Sequence, residues 1–250
     1  MEPVAPHPPH APLSAYYAGE QRRAQWVRGV FDRTAGDYDR IERLMAFGSG
    51  LWYRRRALQR AGLAPGMDVL DVGTGTGLTA RAAIEIARDA ARVIGVDPSV
   101  GMLAASTVSP SSPRVAAGAE SLPVASASVD FVAMGFALRH VADLDAAFAE
   151  FFRVLRPGGR VCLLEITRPQ KRLDALAIKF YLRRVVPWLA RMFGRSRDMP
   201  ALMRYYWDTI EACVPPQVVL ARLTQAGFTA VERYVEARIF SEYRARKPEH

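Results

Sequence analysis

Four histidines, two cysteines and no long uncharged apolar run set the limits of this 250-residue chain. Cys162 and Cys213 form no spacing pattern, which excludes a disulfide framework and a cysteine metal site. Cys162, within Arg160-Val161-Cys162-Leu163-Leu164, reads as a buried structural thiol. His7 and His10 have no cysteine or carboxylate companion in their motif His7-Pro8-Pro9-His10, so no metal is expected. No stretch reaches the roughly 18 uncharged residues of a membrane span. The opening Met1-Glu2-Pro3-Val4 has neither the basic nor the apolar region of a signal peptide. These absences point to a cytoplasmic protein, and the length suits one main domain with appendages. There is no internal repeat.

What the chain has in excess is positive charge, a formal +9. Much of it falls between Lys171 and Arg197, where Lys171, Arg172, Lys179, Arg183, Arg184, Arg191, Arg195 and Arg197 are opposed only by Asp174. Leu173, Leu176, Ala177, Phe180 and Tyr181 recur there at helical spacing. Past an expected kink at Pro187 come Trp188, Leu189, Met192 and Phe193. A basic amphipathic helix with aromatic residues fits an anionic membrane surface, the mouth of a pocket for an apolar substrate, or plain packing on a core.

One motif dominates. Val69-Leu70-Asp71-Val72-Gly73-Thr74-Gly75-Thr76-Gly77 reads as a buried strand running into a glycine-rich turn, and Gly95-Val96-Asp97 as a second strand ending in a carboxylate. Such a turn lets backbone approach an adenosine-bearing ligand closely. The dinucleotide fingerprint G-x-G-x-x-G is not met, because Leu78 stands where its third glycine would fall. Asp71 would repel a pyrophosphate but suits a ligand carrying an ammonium and a sulfonium. S-adenosylmethionine (SAM) is therefore the expected cofactor, and methyl transfer the expected reaction. Asp97 serves ribose hydroxyls in either case.

The organisation follows. Residues 1–20, rich in proline and alanine, are expected as a disordered tail. Residues 21–60 form an N-terminal helical lid segment, 61–170 a Rossmann-like core, 171–215 the basic helical segment, and 216–250 a final helix and strands. Within the core, strands are expected at 68–72, 92–96, 114–117, 129–134 and 160–166, after the turn Arg156-Pro157-Gly158-Gly159. Helices are expected at about 76–88, 99–107 and 143–155. A helix near 216–226 and strands near 229–234 and 237–243 complete the chain.

Three stretches carry a family resemblance. Val30-Phe31-Asp32-Arg33-Thr34-Ala35-Gly36-Asp37-Tyr38-Asp39 through Leu44-Met45-Ala46-Phe47-Gly48 to Leu51-Trp52 is the first; Gly135-Phe136-Ala137-Leu138-Arg139-His140-Val141 is the second; Arg153-Val154-Leu155-Arg156-Pro157-Gly158-Gly159-Arg160 to Glu165-Ile166-Thr167-Arg168-Pro169 is the third. Together they resemble class I SAM methyltransferases, and within them the UbiE/MenG family of quinone-ring C-methyltransferases. The chain departs from that pattern at Ile41-Glu42, where the family has Asn, in lacking a histidine ahead of Trp52, and at His140, where the family pairs Arg with Asn.

The resemblance implies an α/β three-layer sandwich around a seven-stranded, mostly parallel sheet with one antiparallel strand. It implies that Gly73, Thr74, Gly75 and Gly77 line the methionine end of SAM with Asp71 near its ammonium. Asp97 and Pro98 would lie at the ribose, Met102, Ala119 and Glu120 at the adenine, and Gly135 again at the methionine end. Arg139 is expected to stabilise the acceptor's oxyanion, directly or through a water. His140 is expected either as base or as packing beside a helix start, and Tyr38 as a residue closing over the site. The acceptor expected is a prenylated hydroquinone. A phospholipid head-group amine, a small metabolite methylated on oxygen or carbon, and a non-catalytic binding module are the alternatives. Peripheral contact with the inner membrane face through 171–197 is expected, nucleic acid is not, and a homodimer is left open.

Overall fold

The computed structural model describes residues 6–250, apart from the side chains of residues 20 and 21. Seven strands form one sheet: β1 (Val69–Val72), β2 (Val93–Val96), β3 (Arg114–Val115), β4 (Val129–Gly135), β5 (Leu155–Ile166), β6 (Thr229–Glu236) and β7 (Phe240–Arg246), in the order β3-β2-β1-β4-β5-β7-β6. Pairings out to β5 are parallel, whereas β7 runs antiparallel to both β5 and β6. β1 is buried along its whole length because helices cover both faces, as a parallel sheet requires.

On one face α2 (Gly50–Arg60) and α3 (Leu78–Ala87) pack Leu58, Ala83 and Ile86 against Val69, Phe131 and Leu164. On the other, α5 (Leu144–Val154) and α9 (Pro216–Gln225) bury Phe148, Phe151 and Leu223 against Val132, Val161 and Leu163. Asp143 caps α5 by accepting from the Asp145 and Ala146 N–H groups. A third cluster lies beyond the sheet, where α1 (Glu20–Met45), α7 (Val186–Phe193) and α8 (Met199–Ala212) gather Val30, Ile41, Leu202 and Trp207. The short α4 (Val100–Ala104) follows β2 and is capped by Ser99.

Several expectations are corrected. The expected disordered tail lies outside the described residues at 1–5, but from residue 6 it is docked on the body. His7 and Pro9 accept from the Leu144 and Val214 N–H groups at 3.0 and 2.7 Å, ahead of α5 and α9. Tyr16 and Tyr17 pack against Trp26, and Tyr16 also against Tyr205. Aromatic anchors and unsatisfied helix-start donors outweigh the proline-rich composition. His7, moreover, does have carboxylate companions, Asp143 and Asp145, although Arg222 already bonds Asp145 at 2.9 Å.

Where a kink at Pro187 is expected, the backbone runs on from helix to helix without a break. α6 (Arg172–Phe180) passes through a π-helical turn at Tyr181–Val185 before α7, which opens with Pro187 in its first turn. A proline collides with the carbonyl four residues back, here within that wider turn, which makes room for it. β5 begins at Leu155 rather than Arg160, because the Pro-Gly-Gly segment is a bulge within the strand: Val129 pairs with Leu155 and Phe131 with Arg160. The last strand starts at Phe240, since Ala237 and Arg238 occupy the left-handed region in the hairpin turn. No helix among the described residues is long and apolar enough to cross a membrane.

Candidate active site

The glycine-rich turn leaves the carboxyl end of β1 and is tied to β2 by the Gly73 and Thr74 N–H groups, which donate to the Val96 carbonyl at 2.8 and 3.0 Å. Gly73 sits at φ +68°, and a Cβ there would come within 2.5 Å of Ala137. At Gly75, φ +55°, an added Cβ would meet nothing within 4 Å. The turn is thus closed on one side and open on the other. The open side faces a cavity of about 240 Å³, bounded by Gly73, Thr74 and Gly75 below, Asp97, Pro98 and Met102 at one end, Ala119, Glu120 and Gly135 along the wall. Phe31 and Tyr38 of α1 roof it.

Asp97 accepts from the Gly75 and Ser99 N–H groups, both at 2.8 Å. Burial nevertheless pushes its carboxyl up to about 6, against the pull of those bonds. Glu120 accepts from the Ala142 N–H at 2.6 Å and so fixes the loop at the far rim. The roof is latched as well: Asp32 of α1 accepts from Ser99 Oγ and the Gly101 N–H at 2.6 and 2.8 Å, and Asp39 from Thr76 Oγ and Arg81.

His140 ends a tight turn, Leu138–His140, after β4 and lines the same cavity. Its ring is held between Tyr205, stacked at 5.6 Å, and Phe31, edge-on at 5.2 Å. Neither ring nitrogen has a hydrogen-bond partner. Burial, helped by the charges of Arg139 and Arg23 and by His10, holds it well below the usual imidazole range, so it is neutral at pH 7.

A second cavity, of about 100 Å³, adjoins the first. Met45, Ile166, Ile178, Leu182 and Phe240 make it largely apolar, and Tyr206 closes one side. Tyr38, Arg54 and Phe136 line both cavities. Phe136 stands in the left-handed region at φ +60°, a strained conformation for a bulky residue, at the junction itself. The Arg54 guanidinium lies 4.9 Å from its ring centre.

Residues 17–238 match the ubiE/COQ5 methyltransferase family. The chain belongs to that family. It is 37% identical over 217 residues to a ubiquinone/menaquinone biosynthesis C-methyltransferase of Syntrophotalea carbinolica, covering 85% of this chain and 90% of the relative. It is 35% identical over 206 residues to a demethylmenaquinone methyltransferase of Mycobacterium tuberculosis, covering 82% and 85%. Among solved structures it resembles a SAM-dependent methyltransferase of Thermotoga maritima, with TM-score 0.60 at 20% identity over 88% of this chain and 98% of that one. At that identity the likeness speaks for the fold alone.

As a ubiE/COQ5 methyltransferase the protein uses SAM, and the larger cavity fits it. There Asp97 would offer a carboxylate to a diol, Met102 and Ala119 would form an apolar wall, and the open space beside Gly75 would give the ligand room against bare backbone. Three residues expected at the site of this family member lie elsewhere. Asp71 is fully buried and does not line the cavity; Thr74 Oγ donates to its Oδ2 at 2.7 Å. Its Oδ1 has no hydrogen bond, and burial pushes the carboxyl up to about 7. Gly77 also stays out of the cavity; it starts α3 in the left-handed region, where a Cβ would collide with Val108. Arg139 lines neither cavity. It is ion-paired with Glu165 of β5, and Tyr206 covers its guanidinium at 3.8 Å. Its carbonyl, in turn, accepts from Arg23 at 3.0 Å.

Arg54, Phe136 and Tyr206 carry no local motif that marks them as site residues in the sequence. The run Tyr205-Tyr206-Trp207, three aromatics within a helix, was the available signal for a wall around a flat apolar ligand.

Proposed function

We propose that this protein methylates a ring carbon of a prenylated hydroquinone. The observation that carries this reading is the apolar second cavity opening off the SAM cavity through Tyr38, Arg54 and Phe136. A flat ring with an apolar tail fits such a cavity, whose charged lining, Arg54 and Glu42, is paired with itself. The relatives' activities, a C-methyltransferase of ubiquinone/menaquinone biosynthesis in one and a demethylmenaquinone methyltransferase in the other, support the same acceptor class.

When bound, SAM supplies an electrophilic methyl on a sulfonium that leaves as a neutral thioether. The protein's part is to align the acceptor in line with that methyl, exclude water and manage protons. A ring carbon is a weak nucleophile until a neighbouring hydroxyl ionises. His140 stands at the cofactor cavity as a neutral ring packed between Phe31 and Tyr205. The burial and arginine charges that keep it neutral make it a poor proton acceptor, so the hydroxyl proton leaves to solvent before transfer and the oxygen regains one after the ring carbon has lost its own. The Tyr38 phenol is pushed above its ordinary range by burial, so it stays protonated and serves as a donor in the shared wall. Sealed against Glu165, Arg139 supports the site from behind.

The proposal includes peripheral contact with an anionic membrane on its cytoplasmic side. Leu173, Leu176, Phe180, Trp188 and Met192 are exposed along α6 and α7, and Ile178, Tyr181 and Leu182 of the same segment line the acceptor cavity. Lys171, Arg172, Arg184 and Arg191 are exposed among them. Such a surface would let a prenyl tail remain in lipid while the ring is methylated.

Methyl-labelled SAM incubated with the enzyme and a reduced lipid extract, followed by mass spectrometry, tests the reading. Label on the ring carbon of a prenylated quinol is the expected result. Label on a head-group nitrogen, or in no lipid at all, would overturn it.

A further inference from the structure

Ionising a ring hydroxyl places negative charge where the two cavities meet, and a fixed cation there would lower the barrier most. Arg139 cannot serve directly, since it lines neither cavity and its partners are Glu165 and the Tyr206 ring. Arg28 lines the cofactor cavity only and is exposed. Among the described residues, Arg54 alone of the arginines and lysines lines both.

Its setting is that of a held donor. Arg54 is 4% exposed, and Nη1 donates to Glu42 Oε1 at 2.7 Å across the α1–α2 contact. Nε has no hydrogen-bond partner. A buried guanidinium with N–H groups left over gains most from a further acceptor, because unmade bonds to a charged group are costly. The neighbouring wall is shaped for this pair: a Cβ on Gly50, which lines the acceptor cavity, would lie 2.8 Å from Arg54 Nη1 and press on Glu42 Oε1. The other titratable groups whose charge bears on this pair are Tyr38 of α1, Tyr206 of α8 and Asp71 of β1.

We propose that Arg54 is a catalytic residue that receives the ionised ring oxygen of the acceptor, with Glu42 as the positioning residue that fixes its guanidinium. The inference rests on the reading of the acceptor as a hydroquinone, and deepens it by naming the cation for its oxyanion. The methyl-transfer step is unchanged: the C–S bond breaks, the ring C–C bond forms as the phenolate held against Arg54 becomes a neutral dienone, and the charge returns to the oxygen, again against Arg54, when the ring carbon gives up its proton.

The experiment compares wild type with Arg54→Lys and with the double variant Arg54→Met/Glu42→Gln, which removes both charges and leaves no unpaired carboxylate. Thermal melting and calorimetric binding of S-adenosylhomocysteine check that each variant is folded; Arg54→Lys carries the test if the double variant is not. The probe is a 4-nitrophenol bearing an alkyl tail, whose phenolate is coloured. In the wild-type complex its ionisation is expected to fall by about one pH unit or more relative to the free phenol, a tenfold bias towards the phenolate. The double variant should abolish that bias, Arg54→Lys should reduce it, and the alkaline rise of kcat for the hydroquinone should move upward in step. An unshifted phenol in wild type, no binding of the phenol by wild type, or equal shifts in wild type and the folded variants would each overturn the assignment. Since this titration needs no turnover, it is decided separately from the acceptor itself: a bound, shifted phenol with no methylation of any prenylated hydroquinone would retire the acceptor reading and leave Arg54 as an oxyanion site.

Discussion

The cofactor cavity and the acceptor cavity share a wall but are built in different ways. The first is anchored on backbone at the carboxyl ends of β1 and β2: the Gly73 and Thr74 N–H groups tied to Val96, the Gly75 N–H on Asp97, bare space beside Gly75. The second is made from side chains of elements added outside that frame, from Met45 at the end of α1 to Phe240 at the start of β7. A cavity of backbone constrains the residues that make it through φ/ψ and close approach, and those constraints are local in sequence. A cavity of side chains needs only suitable volume and polarity from distant positions, so its residues vary more freely.

The sharpest way to break the first cavity while sparing the second is Gly75→Arg. A side chain at that position points into open cavity space from a left-handed backbone, and SAM affinity measured by calorimetry should fall by more than about 100-fold. Binding of an apolar phenol should survive. Arg139→Ala tests the support behind both. Removing it leaves Glu165 as a buried, unpaired carboxylate, and chemical denaturation should show a loss of about 3–5 kcal/mol. Intact stability with slowed turnover would instead return Arg139 to the reaction. Ile178→Trp fills the acceptor cavity from α6; steady-state kinetics should show KM for the acceptor raised roughly tenfold, with SAM affinity unchanged.

The smallest effects are those of pH. Ribose hydroxyls donating to Asp97 would favour its ionised form, so cofactor binding should draw it down from about 6. SAM affinity should therefore rise by up to about tenfold as pH climbs through 6 and level off above it, and Asp97→Asn should flatten the curve. Asp71 acts on the fold in the opposite sense. Its folded-state value of about 7 lies above the ordinary 3.8, so the folded protein binds the extra proton and loses stability as pH rises between those values. Asp71→Asn should lessen that loss in cofactor-free melting curves.

The same contrast explains what could be read from the chain. The strand–glycine turn–strand pattern, the carboxylate at Asp97 and the placement of Met102, Ala119 and Glu120 follow from one motif and a family likeness, and all of these line the SAM cavity. Asp71 and Arg139 show where that reasoning stops. Arg139 sits next to His140 and Asp71 two residues before Gly73, both of which line the cofactor cavity, yet the local backbone decides on which side a side chain emerges. Thr74 folding back onto Asp71, and Glu165 waiting on the neighbouring strand for Arg139, are tertiary facts with no local signature. Arg54 and Tyr206 were hidden for a related reason: each sits in a helix whose pattern of apolar residues is satisfied by packing, and only assembly brings them to a common junction. The docking of residues 6–19 is not legible in composition, which weighs prolines but not where Tyr16 and Tyr17 will find Trp26.

The insertion of β7 between β5 and β6 has a consequence for how the protein is made. Until residues 240–246 have emerged from the ribosome, the run Val161-Cys162-Leu163-Leu164 is an unpaired edge with strong apolar character and no charge to blunt it. The SAM-binding half can form early from consecutive βα units, but it must wait with that edge exposed for one of the last strands translated. Nascent chains stalled or truncated before Phe240 should be caught by chaperones or aggregate, even though every residue facing the cofactor has already been synthesised.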